Sequence, residues 1–279
     1  MRPIRLKRSQ RGLTLIEMII AMIITGIVVA LALFFTLPMQ QAVDVTVRAE
    51  LTDIAHNSLQ RIGRDVRLAL PNSVRTSGTA LEFIPLRTGG RYRVEAAGTC
   101  NAVADQDNLA FDVADDCFKS LGPILNDTTI TTGDFVVLNN YGANFTNQDA
   151  YAGGNRRQVA AGTGGQKVVH ASGTFTRTSH DSPGRRFFIV TTPVSYVCDL
   201  TAGTITRYEG YGFNANQQVP PGGTPALLAS NVVDCSFDYS ANVAPMVGLL
   251  TLTLTLRKAV STGTETVRLY HSVHVNNVP

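Results

Sequence analysis

RGLTLIEMIIAMIITGIVVALALFFTLP, Arg11–Pro38, decides the reading of this chain. Between Leu13 and Leu37 every residue except Glu17 is apolar, small or hydroxylic. A helix of that length rises ~37 Å, enough to cross a hydrocarbon core of ~30 Å. Glu17 breaks the pattern. An ionisable residue inside such a segment is costly and marks a functional position by default, even though one turn from the interface it can snorkel towards water.

Working outward, the preceding MRPIRLKRSQRG holds Arg2, Arg5, Lys7, Arg8 and Arg11 and no acid. The positive-inside rule keeps that end cytoplasmic and sends the rest of the chain across. A secretory signal peptide fits less well. Its apolar region spans only about 7–15 residues and leads to an A-x-A-like cleavage site, and none occurs before Pro38. The switch from polar to apolar falls instead at Gly12–Leu13, ahead of the apolar run.

A short basic leader, then Gly12, then Leu13-Thr14-Leu15-Ile16-Glu17 and a long apolar helix resembles the signal of type IV pilins and type II secretion pseudopilins. The resemblance implies cleavage after Gly12 by prepilin peptidase and methylation of the new N-terminus at Leu13. It implies a role for Glu17, fifth in the mature chain, in assembly with other pilin subunits through the N-terminal helix. It also implies residence in the inner membrane with the remainder periplasmic, then in a pilus. One departure is visible: many pilins carry a proline in the second half of this helix. Here Phe34 stands at that place, and Pro38 follows one turn later.

The 279 residues suffice for one or two domains with a sizeable core. The net charge of +3 comes from the leader. Without its five cations, 19 Lys and Arg face 21 Asp and Glu, a balance of −2. A basic surface for nucleic acid is therefore not expected. Cys100, Cys117, Cys198 and Cys235 all lie beyond the apolar segment, with no Cys-x-x-Cys among them. An even count on the non-cytoplasmic side predicts two disulfides, with three possible pairings. Cys100–Cys117 with Cys198–Cys235 is favoured because each closes a local loop.

After Pro38, Val43, Val47, Leu51, Ile54, Ala55, Leu59, Ile62, Val66 and Leu70 recur mostly at steps of three and four, with charges largely between them. This predicts an amphipathic helix ended by Pro71. From Asn72 the period drops to two. Ala80–Ile84 and Arg91–Val94 predict a hairpin around Gly89-Gly90. Further strands are expected near Leu109–Val113, Asp134–Asn140, Gly173–Thr178, Phe187–Val197 (broken by Pro193), Thr204–Phe213, Val232–Tyr239, Leu249–Arg257 and Glu265–Val275. Leu250 to Leu256 alternates Leu and Thr without a fault, so the leucines face a core. The Gly-, Asn- and Ala-rich 142–166 stretch reads as an exposed loop.

The predicted class is α+β: a leader (1–12), a transmembrane helix (13–38), an amphipathic helix packed on a head (39–70), and an antiparallel β head with disulfides (71–279). The last ninety or so residues, with VSYVCDLTAGTITRYEGYGF (Val194–Phe213), NVVDCSFDYS (Asn231–Ser240) and LYHSVHVNNVP, resemble minor pilins of the mannose-sensitive haemagglutinin (MSHA) system and, more distantly, PilW-type minor pilins and J-type pseudopilins.

Candidate chemistry is sparse. His271 and His274 form H-x-x-H, but three residues apart on a strand they face opposite sides and cannot share a metal. Asp105, Asp107, Asp112, Asp115 and Asp116 crowd the Cys100–Cys117 loop without the glycine and bidentate glutamate of an EF-hand. Tyr196, Tyr208 and Tyr211 could present an aromatic face to sugar, but more readily complete a sheet. No nucleophile elbow, phosphate loop, zinc-protease or dinucleotide motif occurs. The expectation is a structural subunit with no catalytic residue, metal site or cofactor. The alternatives are a pilus-displayed adhesin, using the 142–166 loop or the tyrosines, and a secretion pseudopilin.

Overall fold

The computed structural model describes residues 14–94, 100, 107–178, 182, 184–244, 246–260 and 263–279, with backbone alone for 34–45 and 242–244. One long helix, α1 (Leu15–Arg67), is followed by β1 (Arg75–Ser77), β2 (Ala80–Phe83), β3 (Leu86–Arg91), β4 (Ala114–Lys119), β5 (Phe135–Leu138), β6 (Arg156–Gln158), β7 (Lys167–Thr174), β8 (Arg186–Val190), β9 (Val194–Asp199), β10 (Thr204–Glu209), β11 (Thr224–Ser230), β12 (Val232–Ala244), β13 (Val247–Val260) and β14 (Gly263–Asn276). The pairings among the described residues are antiparallel. The fold is α+β, as the switch of period from 3.6 to 2 after Pro71 predicts.

α1 spans 53 residues, about 80 Å, and runs through Pro38 without a break. Its two halves differ in what they touch. None of Leu15–Leu33 is buried, and this stretch has a mean hydropathy of 2.6. In the second half Leu51, Ala55, Leu59, Ile62 and Val66 form a buried stripe. They pack on Leu250, Leu252, Leu254 and Leu256 of β13 and on Val267, Val273 and Val275 of β14. Thr253 and Thr255 alternate with the leucines and point to the other face. Gly63 permits close helix–sheet contact, since a Cβ there would lie 2.7 Å from His271 Nε2 and 3.1 Å from Val273 Cγ2.

Four sheets make up the rest, in the orders β1-β2-β9-β10-β11, β12-β13-β14, β3-β8-β5-β6 and β4-β7. The first two enclose one core with α1, through Phe83, Tyr196, Ile205 and Phe237. The other two surround a second core built on Phe118, Val136, Phe175, Phe187 and Ile189. Cys198 of β9 is bonded to Cys235 of β12, tying the first sheet to the second, and Cys100 is bonded to Cys117 of β4.

Several expected elements lie elsewhere. The helix ends at Arg67 rather than at Leu70, because the head captures the chain first. The Leu70 N–H donates to Ile84 O at 2.8 Å, and the Leu86 N–H donates to Leu68 O at 2.7 Å. Gly89-Gly90 is not a turn but the middle of β3, paired with Phe188 and Phe187 of β8. A Cβ on Gly90 would meet the Phe187 ring at 2.8 Å, so the glycine is there for close packing. The hairpin in this region is β1–β2, turning at Gly78, which has φ +59.

Leu109–Val113 is not a strand; β4 begins at Ala114. Of the expected Gly173–Thr178 strand only Gly173 and Thr174 are strand; they end β7, which starts at Lys167, and 175–178 is irregular. The 142–166 stretch is not one exposed loop. It contains β6, and Ala150, Tyr151, Asn155 and Val159 are buried in it. Polar side chains hold it down: Asn140 Oδ1 accepts from the Ala150 N–H at 2.8 Å, and the Tyr151 hydroxyl donates to Ser73 O at 2.9 Å.

Candidate functional site

The candidate site is the start of α1. Gly12 and Leu13, the expected processing residues, lie outside the described residues. Thr14 is the N-cap, in extended conformation, and Glu17 is the third residue of the helix. The Glu17 N–H donates to Thr14 Oγ1 at 3.3 Å, while Glu17 Oε2 accepts from the Thr14 N–H and the Thr14 hydroxyl, both at 2.9 Å. This is a reciprocal capping box. It satisfies helix N–H groups that would otherwise have no partner in an apolar phase, and it places a negative group where the helix dipole favours one. The carboxylate thus has a partner within its own first turn. Its hydrogen bonds all run to Oε2, and Thr14 lies one residue after Leu13, the expected new amino terminus.

At its far end the helix is locked to the head. The Tyr196 hydroxyl donates to Asp65 Oδ2 at 2.6 Å, and Arg207 Nε lies 3.4 Å from the same oxygen. Burial and the Asp65 contact push the Tyr196 phenol well above its ordinary range. Lys258 Nζ reaches Glu50 Oε2 at 2.8 Å, and Arg48 lies 3.9 Å from Glu265. An exposed apolar half is thereby carried on a half that the β head holds in place.

The other sequence candidates fall apart as sites. Tyr196 points into the core, while Tyr208, one strand over and opposite Ser195, lies on the other face of the sheet. Tyr211 is engaged with Ser195 Oγ at 2.6 Å and donates to Glu82 Oε1 at 3.1 Å. The three tyrosines therefore form no common aromatic face. His271 faces α1 beside Gly63, and His274, exposed, faces away. Asp105 lies outside the described residues. Asp115 accepts from the N–H groups of Ala110, Asp116 and Cys117, and Asp112 accepts from the Arg177 N–H. These carboxylates shape backbone rather than converge on one point.

Sequence reasoning missed a buried ion pair, Arg75–Glu82, at 2.7 Å. Arg75 also donates to Asn214 O and Ala215 O, and its guanidinium lies 3.6 Å over the Tyr151 ring. Glu82 is buried on the face of β2 opposite the core residues Leu81 and Phe83, beside Ser195 and Tyr211, and only its partner seven residues upstream hinted at this.

Residues 7–33 match the model of the prokaryotic N-terminal methylation motif. The chain carries a type IV pilin-like prepilin signal. The match covers the second half of the basic leader from Lys7, then Gly12, Leu13, Glu17 and the unburied half of α1, and stops where the amphipathic half has yet to begin. The motif implies processing by prepilin peptidase and a pilin assembly context, and with the apolar helix it points to membrane anchoring. No curated protein and no solved structure matches the chain.

Proposed function

We propose that the chain is a minor pilin-like structural subunit of a type IV pilus, of the MshO kind found in the MSHA system, acting in pilus initiation or at the tip. Prepilin peptidase removes residues 1–12 between Gly12 and Leu13, and Leu13 is methylated. Residues 13–38 cross the inner membrane once with the 71–279 head in the periplasm, and the apolar half of α1 later packs among other subunits. The observation that carries this reading is the methylation motif at the head of one unbroken helix. That helix is unburied over Leu15–Leu33 and fixed to a disulfide-containing head over its second half. The MSHA assignment rests on the resemblance of the C-terminal ninety residues.

In this reading Glu17 has two roles. It caps its own helix through Thr14, and in the fibre it meets the amino terminus of an adjacent subunit, fixing axial stagger as a single buried polar group fixes register in a coiled coil. The test is mechanical shearing of cells that express the protein. A structural subunit appears, shortened, in the fibre fraction and disappears from it when the peptidase is deleted. Recovery of full-length protein in the membrane fraction alone, with or without the peptidase, would contradict the proposal.

A further inference from the structure

A cavity of about 440 Å³ lies where the end of α1 meets the β3–β8 pair. That volume falls in the range of small-molecule sites. Three arginines line it: Arg67 from the last turn of α1, Arg91 from β3 and Arg186 from β8. Arg91 and Arg186 are directly opposite each other in the ladder, which places their side chains on the same face as neighbours. Like charges in that relation repel. Among the described residues none of the three guanidinium groups pairs with a carboxylate. Asp65, the acid closest to Arg67 in sequence within α1, is taken by Tyr196 and Arg207.

The floor between the arginines is shaped to stay open. Gly89 pairs with Phe188 and shares the face of Arg91 and Arg186, so bare backbone lies beside an aromatic ring at the base of the cavity. A Cβ on Gly89 would come within 2.8 Å of Phe187 O. A cross-strand pair of arginines without carboxylate partners, with a third brought in by the helix, is an arrangement that a bound anion would neutralise.

We propose that this cavity binds an oxyanion, a phosphate, sulfate or carboxylate, carried on a group no larger than about one sugar. The guanidinium fork matches two oxygens of such groups and not a spherical ion. A lipid headgroup is not the source. About 50 Å of helix separates Leu33 from Arg67, so a bilayer around the apolar half does not reach the cavity. The inference stands on the junction of α1 with the head and does not depend on the pilin reading.

The test is calorimetric titration of the full-length protein in uncharged detergent at low ionic strength, with inorganic phosphate, sulfate and glucuronate, and with glucose as the neutral control. The anions bind and glucose does not. The ratio of glucuronate to phosphate affinity tells a uronic acid from a phosphate source. The double variant Arg91→Gln/Arg186→Gln binds at least ten-fold more weakly, yet melts no lower than wild type without ligand, because it has lost a repulsive pair. A merely structural role for these arginines would lower the melting temperature instead. Arg67→Gln, at an exposed helix end, is the second variant, and it also weakens binding. Absence of anion binding to wild type overturns the proposal. So does an equal response of wild type and variants, the mark of a general salt effect.

Discussion

Replacing Arg75 by methionine should destabilise the head by about 3–5 kcal/mol, the range for breaking a buried ion pair from one side. The geometry decides between this and the ~0.2–1 kcal/mol of an exposed pair. The Glu82 side chain is only 2% exposed and that of Arg75 21%. Methionine retains the packing of the stem but leaves the Glu82 carboxylate buried with a single donor, the Tyr211 hydroxyl at 3.1 Å. The same change removes the donors to Asn214 O and Ala215 O and the cation over Tyr151. A loss of that size is a large share of the ~5–15 kcal/mol by which domains are stable. The assay is guanidinium unfolding followed by circular dichroism, since the chain has no tryptophan. Glu82→Gln added to Arg75→Met should recover part of the loss, because it removes the stranded charge. A single-variant loss below about 1 kcal/mol, or a double variant no more stable than the single, refutes the reasoning.

Glu17→Ala is expected to spare membrane insertion, since alanine enters the apolar phase more easily, and to spare leader removal, since the basic leader and Gly12 remain. Recovery in sheared fibres should fall, and incorporation of the cleaved variant at the wild-type level would exclude a register role. Burial lowers the His170 and His271 pKa values, aided at His271 by Arg67 and His56. The folded state therefore binds these protons less readily than the unfolded one, whose imidazoles titrate near ~6.5. Stability should be full above that pH and decline as the pH falls from there through the lowered folded values. Melting curves of His271→Gln should show a shallower decline. Serine at both Cys198 and Cys235 should cost about 2–4 kcal/mol, and more than serine at Cys100 and Cys117. The sequence separations are 37 and 17, and thermal melts of the two oxidised double variants make the comparison.

The helix was legible because two different signals agree on it. An unbroken apolar run needs no head, and the stripe from Leu51 to Val66 repeats at the helical period. The Leu250–Leu256 alternation fixed the inner face of β13 in the same way. What stayed hidden depends on partners far away in the chain. β2 pairs with β9, more than a hundred residues on, and nothing local at Ala80–Phe83 names that partner. Gly89-Gly90 carries the composition of a turn but serves contact with Phe187. The 142–166 stretch carries the composition of a loop. It packs because the Ala150 N–H donates to Asn140 Oδ1, and Tyr151 and Asn155 donate to backbone carbonyls of neighbouring segments. At the candidate site, Glu17 stood out as the one charge in an apolar run, whereas its use of Thr14 as a cap needed coordinates to be seen.

As a prepilin the chain should be cut after Gly12 and methylated at Leu13. Mass spectrometry of the N-terminal peptide of the protein, isolated from cells that hold an active prepilin peptidase, tests it most directly. The expected chain begins at Leu13 with a methylated amine and has Glu17 as its fifth residue. An intact Met1, or an N-terminus within the apolar segment or beyond Pro38, would contradict it.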